Sequence, residues 1–166
     1  MVNCRPYETE RDLLSPNRNL TPVTTEIDPN GKMLVGGCQL SDLAEKFGTP
    51  LYVIDEVSLR KSCEAYRAAL DKHYPGESLA LYASKANSSL VMISLIASES
   101  MGLDAVSEGE LLTALKGGVS SDKIVLHGNN KSDRELMLAY ENDVTIVLDN
   151  QHDIERLSAL IPVGQR

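Results

Sequence analysis

No apolar run in this chain approaches the ~18 residues of a membrane-spanning helix. Basic charge is in the minority, with 16 Lys and Arg against 24 Asp and Glu and a formal net charge of -8. A general nucleic-acid binder needs a basic face, so no nucleic acid is expected as a partner; anionic membranes are disfavoured for the same reason. Cysteine is scarce: Cys4, Cys38 and Cys63 are an odd number, with no CxxC and no Cys/His cluster at zinc spacing. No metal site is expected, Cys63 reads as helical core, and a reduced, cytoplasmic setting fits best. The phosphate loops GxGxxG and GxxxxGKS/T are missing, as are GxSxG and HExxH. The N-terminus has early acidic residues and no apolar core, unlike a secretory or transit peptide.

What is present is regular. The 166 residues suffice for one ordinary domain. Residues 1–31, rich in Pro, Asn, Thr and Asp without periodicity, read as an extended, poorly ordered arm. From 32 to 166 the pattern alternates. MLVGG (33–37) suits a short strand, and 39–48 a helix with Ser41 as cap and Gly48 as stop. LYVID (51–55) suits a strand, and 58–74 a helix burying Leu59, Cys63, Tyr66 and Leu70. Four further strands are expected at 78–84, 101–107, 124–128 and 144–149. Helices follow each. Ser88 or Ser89 caps the first; Ser107 with Glu110, and Ser132 with Glu135, have capping-box spacing. Asp149 or Asn150 caps the last, whose apolar positions are Ile154, Leu157 and Ile161.

Short, almost wholly apolar strands alternating with helices indicate an α/β fold with a parallel sheet. Either a doubly wound sheet or part of a (β/α)8 barrel satisfies the pattern. A whole barrel needs about 250 residues, so the latter would be a partial barrel of about four βα units. Alternation in LALYASK places Leu79, Leu81, Ala83 and Lys85 on one face. If that face lines a barrel, Lys85 projects inward at the C-terminal rim, where active sites of such barrels sit. Asp104 and Ser107, then His127, Asn129 and Asn130, arrive at the same rim from the next two strands. A lysine at a strand end is more often merely solvated, and Ser107 already has a capping job; the shared rim is what favours chemistry.

YASKAN (82–87) resembles the lysine box of the fold-type III pyridoxal-phosphate decarboxylases. GLDAVSEGEL (102–111) looks like their second box and HGNNKS (127–132) like their third. The third resembles the diaminopimelate branch more than the ornithine or arginine branches. The lead-in at 36–56 is also similar, and the likeness runs from about 36 to 160. The resemblance implies pyridoxal 5'-phosphate as cofactor, held by Lys85 as a Schiff base. It implies a small amino acid as substrate, a usual head-to-tail homodimer, and decarboxylation of meso-diaminopimelate to L-lysine. Lys85, Asp104 and His127 are the expected catalytic residues; Lys85, Asn87 and Ser107 are the expected cofactor contacts. Other decarboxylases or racemases of this class, or a non-catalytic carrier of the cofactor, share the lysine box.

In that family a C-terminal β domain follows the barrel, and a strand associated with it precedes it. The phosphate cradle, the ring-stacking histidine and the substrate-binding residues lie further along than residue 166. The expectation is therefore an N-terminal portion, with an extension belonging to a β domain beyond it, inactive by itself and prone to associate through open strand edges.

Overall fold

The computed structural model describes residues 20–161; Cys4 and most of the stretch read as an arm lie outside the described residues. The chain divides into two compact units, Met1–Ala65 and Tyr66–Arg166.

The first unit holds an antiparallel sheet of β1 (Glu26–Ile27), β2 (Met33–Val35) and β3 (Cys38–Gln39), in that order. Asp28 shapes the first turn, its Oδ1 accepting from the backbone N–H of Asn30 and Lys32 at 2.9 and 2.8 Å. Gly36 and Gly37, at φ 58° and 77°, make the second, a pair of left-handed positions that a two-residue hairpin of this hand requires. Helix α1 (Leu40–Phe47) follows; its N-cap position is Gln39, which makes no side-chain capping bond, and not Ser41, whose hydroxyl points to Asp42. Helix α2 (Glu56–His73) starts in this unit and buries Cys63 as expected, whereas Tyr66 is exposed.

LYVID does not form a strand, and Tyr52 within it is 97% exposed. Its composition is compatible with a strand, but a strand exists only where another one takes up its N–H and C=O groups. No strand among the described residues does so.

The second unit carries a parallel sheet of β4 (Leu81–Ala83), β5 (Gly102–Ala105), β6 (Ile124–Leu126) and β7 (Thr145–Ile146), with spatial order equal to chain order. Helices α3 (Leu90–Ser98), α4 (Glu108–Lys116), α5 (Asp133–Glu141) and α6 (Gln151–Leu160) follow the four strands in turn. Leu103, Ala105, Ile124 and Leu126 meet Ile93, Leu111, Ala114 and Ala139 from the helices in one core. Doubly wound sheets reverse their strand order at a switch point. This sheet does not, so the barrel alternative left open by the sequence is the one adopted.

Register fixes the other face. Ala83 is paired with Asp104, Asp104 with Val125, and Val125 with Thr145, and neighbours in register share a face. Gly102 lies on that face under Leu81. A Cβ there would sit 2.5 Å from both Leu81 Cδ2 and the Lys123 carbonyl oxygen. The carbonyl cannot swing away as a side chain can, so Gly102→Ala is expected to destabilise the chain by about 1–3 kcal/mol. Denaturant unfolding checks this; a wild-type midpoint would mean that β4 and β5 are less closely packed than described. No helix among the described residues is long and apolar enough to cross a membrane.

Candidate active site

Strand β4 is shorter than the sequence pattern suggests. It ends at Ala83, and Ser84–Ala86 form a single 3-10 turn. Strand alternation therefore carries no further than Ala83. Lys85 reaches the C-terminal end of β4 on this turn, which packs against β5. Ser84 is fully buried with its Oγ unpartnered, while Lys85 is exposed. Among the described residues no side chain pairs with the Lys85 ammonium. The Asn87 carbonyl accepts from the Tyr82 hydroxyl at 3.2 Å, closing the loop back on the strand.

Asp104 and His127 are brought together. Asp104 Oδ1 lies 3.6 Å from His127 Nδ1, with the two side chains 25% and 54% exposed. Oδ1 is itself buried and accepts no hydrogen bond. The His127 N–H bonds to the Ala105 carbonyl at 2.8 Å, extending the β5–β6 ladder by one residue and fixing where the imidazole starts.

The two other expected contacts each have a local task. Asn87 Oδ1 accepts from the Ser89 N–H at 3.0 Å, serving the start of α3 where Ser89, the N-cap residue, makes no side-chain bond. Ser107 Oγ accepts from the Glu110 N–H at 3.3 Å, as an N-cap should. What each retains is a donor: the Asn87 amide N–H2 and the Ser107 O–H.

Two features of this rim go beyond the caps expected from the sequence. Glu135 completes its own capping box, accepting from Ser132 N–H at 2.7 Å, and its other oxygen accepts from Glu108 N–H at 2.9 Å. One carboxylate thus joins the starts of α4 and α5. Burial works to raise its pKa, but the bonds from Ser132 and Glu108 and the nearby Lys131 charge outweigh it and hold it below the usual 4.5. A depressed carboxylate stabilises the fold above its unfolded pKa, and that contribution is lost as pH falls through the folded value. Below about pH 4.5 the wild type is therefore expected to lose stability more steeply than Glu135→Gln; parallel curves in acid unfolding titrations would contradict this.

The second is Lys131, whose side chain is 2% exposed. Its Nζ lies 2.7 Å from Asp153 Oδ2 and 3.3 Å from Asp149 Oδ1, and it also donates to the Gly128 carbonyl. The last helix is correspondingly rotated from the expected face: Asp153 is buried and Ile154 is 49% exposed. The cap of this helix is Asn150, which accepts from the Asp153 N–H.

A sequentially ordered parallel sheet with its helices packed over one face, and Lys85 exposed on the turn that ends β4, define the class: part of a (β/α)8-type barrel. The chain belongs to the pyridoxal-dependent decarboxylases, residues 56–165 matching the pyridoxal binding domain of that family. It is 43% identical over 154 residues to the diaminopimelate decarboxylase of a Synechocystis species, covering 88% of this chain and 33% of that protein. The Methanothermobacter thermautotrophicus diaminopimelate decarboxylase is 39% identical over 141 residues, covering 85% and 33%. Among solved structures, the M. jannaschii diaminopimelate decarboxylase superposes with a TM-score of 0.78 at 33% identity, over 82% of this chain and 32% of that one. The chain thus spans about a third of the length of the relatives it matches.

Proposed function

We propose that the protein carrying this chain removes carbon dioxide from meso-diaminopimelate to give L-lysine, with pyridoxal 5'-phosphate held by Lys85. The observation that carries this reading is the 43% identity to the Synechocystis enzyme, over a stretch too long to omit any of the three boxes between 82 and 132. The M. jannaschii diaminopimelate decarboxylase, 33% identical, was solved in complex with L-lysine, the product this reading requires.

The residues present fit the cofactor. An aldehyde needs an accessible primary amine, and Lys85 is exposed without a partner. A buried acceptor with nothing to accept from is costly, and Asp104 Oδ1 is such an atom. When bound, the cofactor supplies an electron sink for the pair left as the carboxyl group departs. The chain's own residues have separate tasks. Lys85 holds the cofactor through Nζ, which is nucleophilic only without its extra proton. Asp104 provides, at Oδ1, a buried acceptor for a proton donor, and His127 Nδ1 stands 3.6 Å from that oxygen. Asn87 and Ser107, with their oxygens engaged, offer donors suited to the cofactor's oxygens.

The test is a substrate panel on the protein at its natural length. L-Lysine is expected from meso-diaminopimelate, with L-ornithine and L-arginine left intact. Consumption of either of those instead, or no lysine at all, would overturn the reading.

A further inference from the structure

Lys131 is a buried cation that the proposed chemistry does not use, and its surroundings call for a reason. It shares the space after β6 and β7 with Arg156 and with Asp133, Asp149 and Asp153. Arg156 donates from Nε to Asp133 at 2.8 Å and from an Nη to the Lys131 carbonyl at 2.6 Å. Two cations thus face three carboxylates, and the Lys131 and Asp153 side chains are 2% and 3% exposed. Burying such a pair is poor value for stability alone, because desolvation offsets most of the attraction. Apolar side chains of similar volume would fill the space at least as well. What they would lack is a donor aimed at a particular carbonyl.

That carbonyl belongs to Gly128, the residue after His127. The six-residue loop 127–132 is therefore fixed at three places. His127 N–H is on the Ala105 carbonyl, Gly128 C=O is on Lys131 Nζ, and Ser132 N–H is on Glu135. Gly128 has a φ of 118°, a conformation that lets the chain turn sharply after the imidazole. Between the fixed points, only Asn129 and Asn130 are left standing out, and both are exposed.

We propose that Lys131 is a positioning residue: by tying the Gly128 carbonyl to the Asp149 and Asp153 carboxylates, its ammonium holds His127 within reach of Asp104 and presents Asn129 and Asn130 at the rim. This rests on the reading of the rim as the cofactor site. The loop is ordered from beneath, by a buried charge, and α6 becomes the support against which the loop is set.

The test uses hydrogen–deuterium exchange on the full chain. Lys131→Met alone strands a buried carboxylate, so the informative variant is Lys131→Met with Asp153→Asn, which removes both charges together. In it, amides of 127–130 are expected to exchange at least about tenfold faster, while peptides from α5 and α6 keep wild-type protection. Retention of pyridoxal phosphate by the natural-length protein is expected to weaken by about tenfold or more, while the unfolding midpoint recovers most of what Lys131→Met alone loses. Wild-type exchange in the loop would overturn the proposal, leaving Lys131 as charge balance only. Uniform loss of protection across β6 to α6 would also overturn it, showing a role in stability and not in placement. If the wild type itself retains no pyridoxal phosphate, the cofactor reading fails, and the exchange result still decides whether Lys131 sets the loop.

Discussion

Lys85→Ala in the natural-length protein is expected to end pyridoxal phosphate retention and to lower lysine formation by about 10⁴-fold or more, the scale on which loss of one obligatory group acts. The same substitution is expected to leave the unfolding free energy within about 0.5 kcal/mol of wild type, because the side chain is exposed and unpaired. The separation of the two readouts matters. A lysine that merely ended a strand in solvent would leave both unchanged, and a lysine needed for folding would move both. Absorbance of the dialysed protein, together with denaturant unfolding, measures the pair. Retained cofactor in the variant would remove Lys85 from the site.

The second large effect is on stability. Lys131→Met is expected to destabilise the fold by about 3–5 kcal/mol, since breaking a buried ion pair from one side leaves a carboxylate without its counter-ion. The dominant contribution comes from Asp153, whose side chain is 3% exposed; that of Asp149 is 35% exposed, and solvent screening leaves its pairing worth little. Adding Asp153→Asn is expected to recover most of the loss, as the stranded charge is then gone. Midpoints at constant denaturant sensitivity measure this. A single variant within about 0.5 kcal/mol of wild type would mean that Asp153 is solvated. A loss of 3–5 kcal/mol is a large part of the roughly 5–15 kcal/mol that holds a domain folded, which is why the charge-balanced variant is the one suited to local questions.

The parts of the fold that were legible in the sequence are those written in local signals. Ser107 and Ser132 with their glutamates place the starts of α4 and α5, and both caps are present. Short apolar strands between helices give the parallel sheet, and strand order then separates the barrel from the doubly wound alternative. What was less legible depends on partners distant in the chain. LYVID has the composition of a strand, but pairing decides, and among the described residues it has none. The expected strand at 78–84 is present only as Leu81–Ala83, and it ends where the chain turns at Ser84, whose side chain is fully buried.

The candidate site was legible as a set of positions and less so as geometry. Asp104 and His127 converge as their strand ends suggest. Lys85 shares their rim by way of a turn and not by strand alternation. Periodicity pointed the last helix at Ile154 and missed Asp153, because hydrophobic patterns assign every carboxylate to solvent. The available signal was Lys131, a lysine between two asparagines and a capping serine, in a loop where a buried position was not expected. Only its three-dimensional partners show that it is buried.

The most direct measurement of the central claim is to reduce the pyridoxal-phosphate-loaded, natural-length protein with borohydride and map the modified peptide by mass spectrometry. The expected result is one modified residue within this chain, Lys85, at close to one equivalent per chain. Label spread over the exposed lysines, or concentrated on any other residue with Lys85 unmodified, would contradict it.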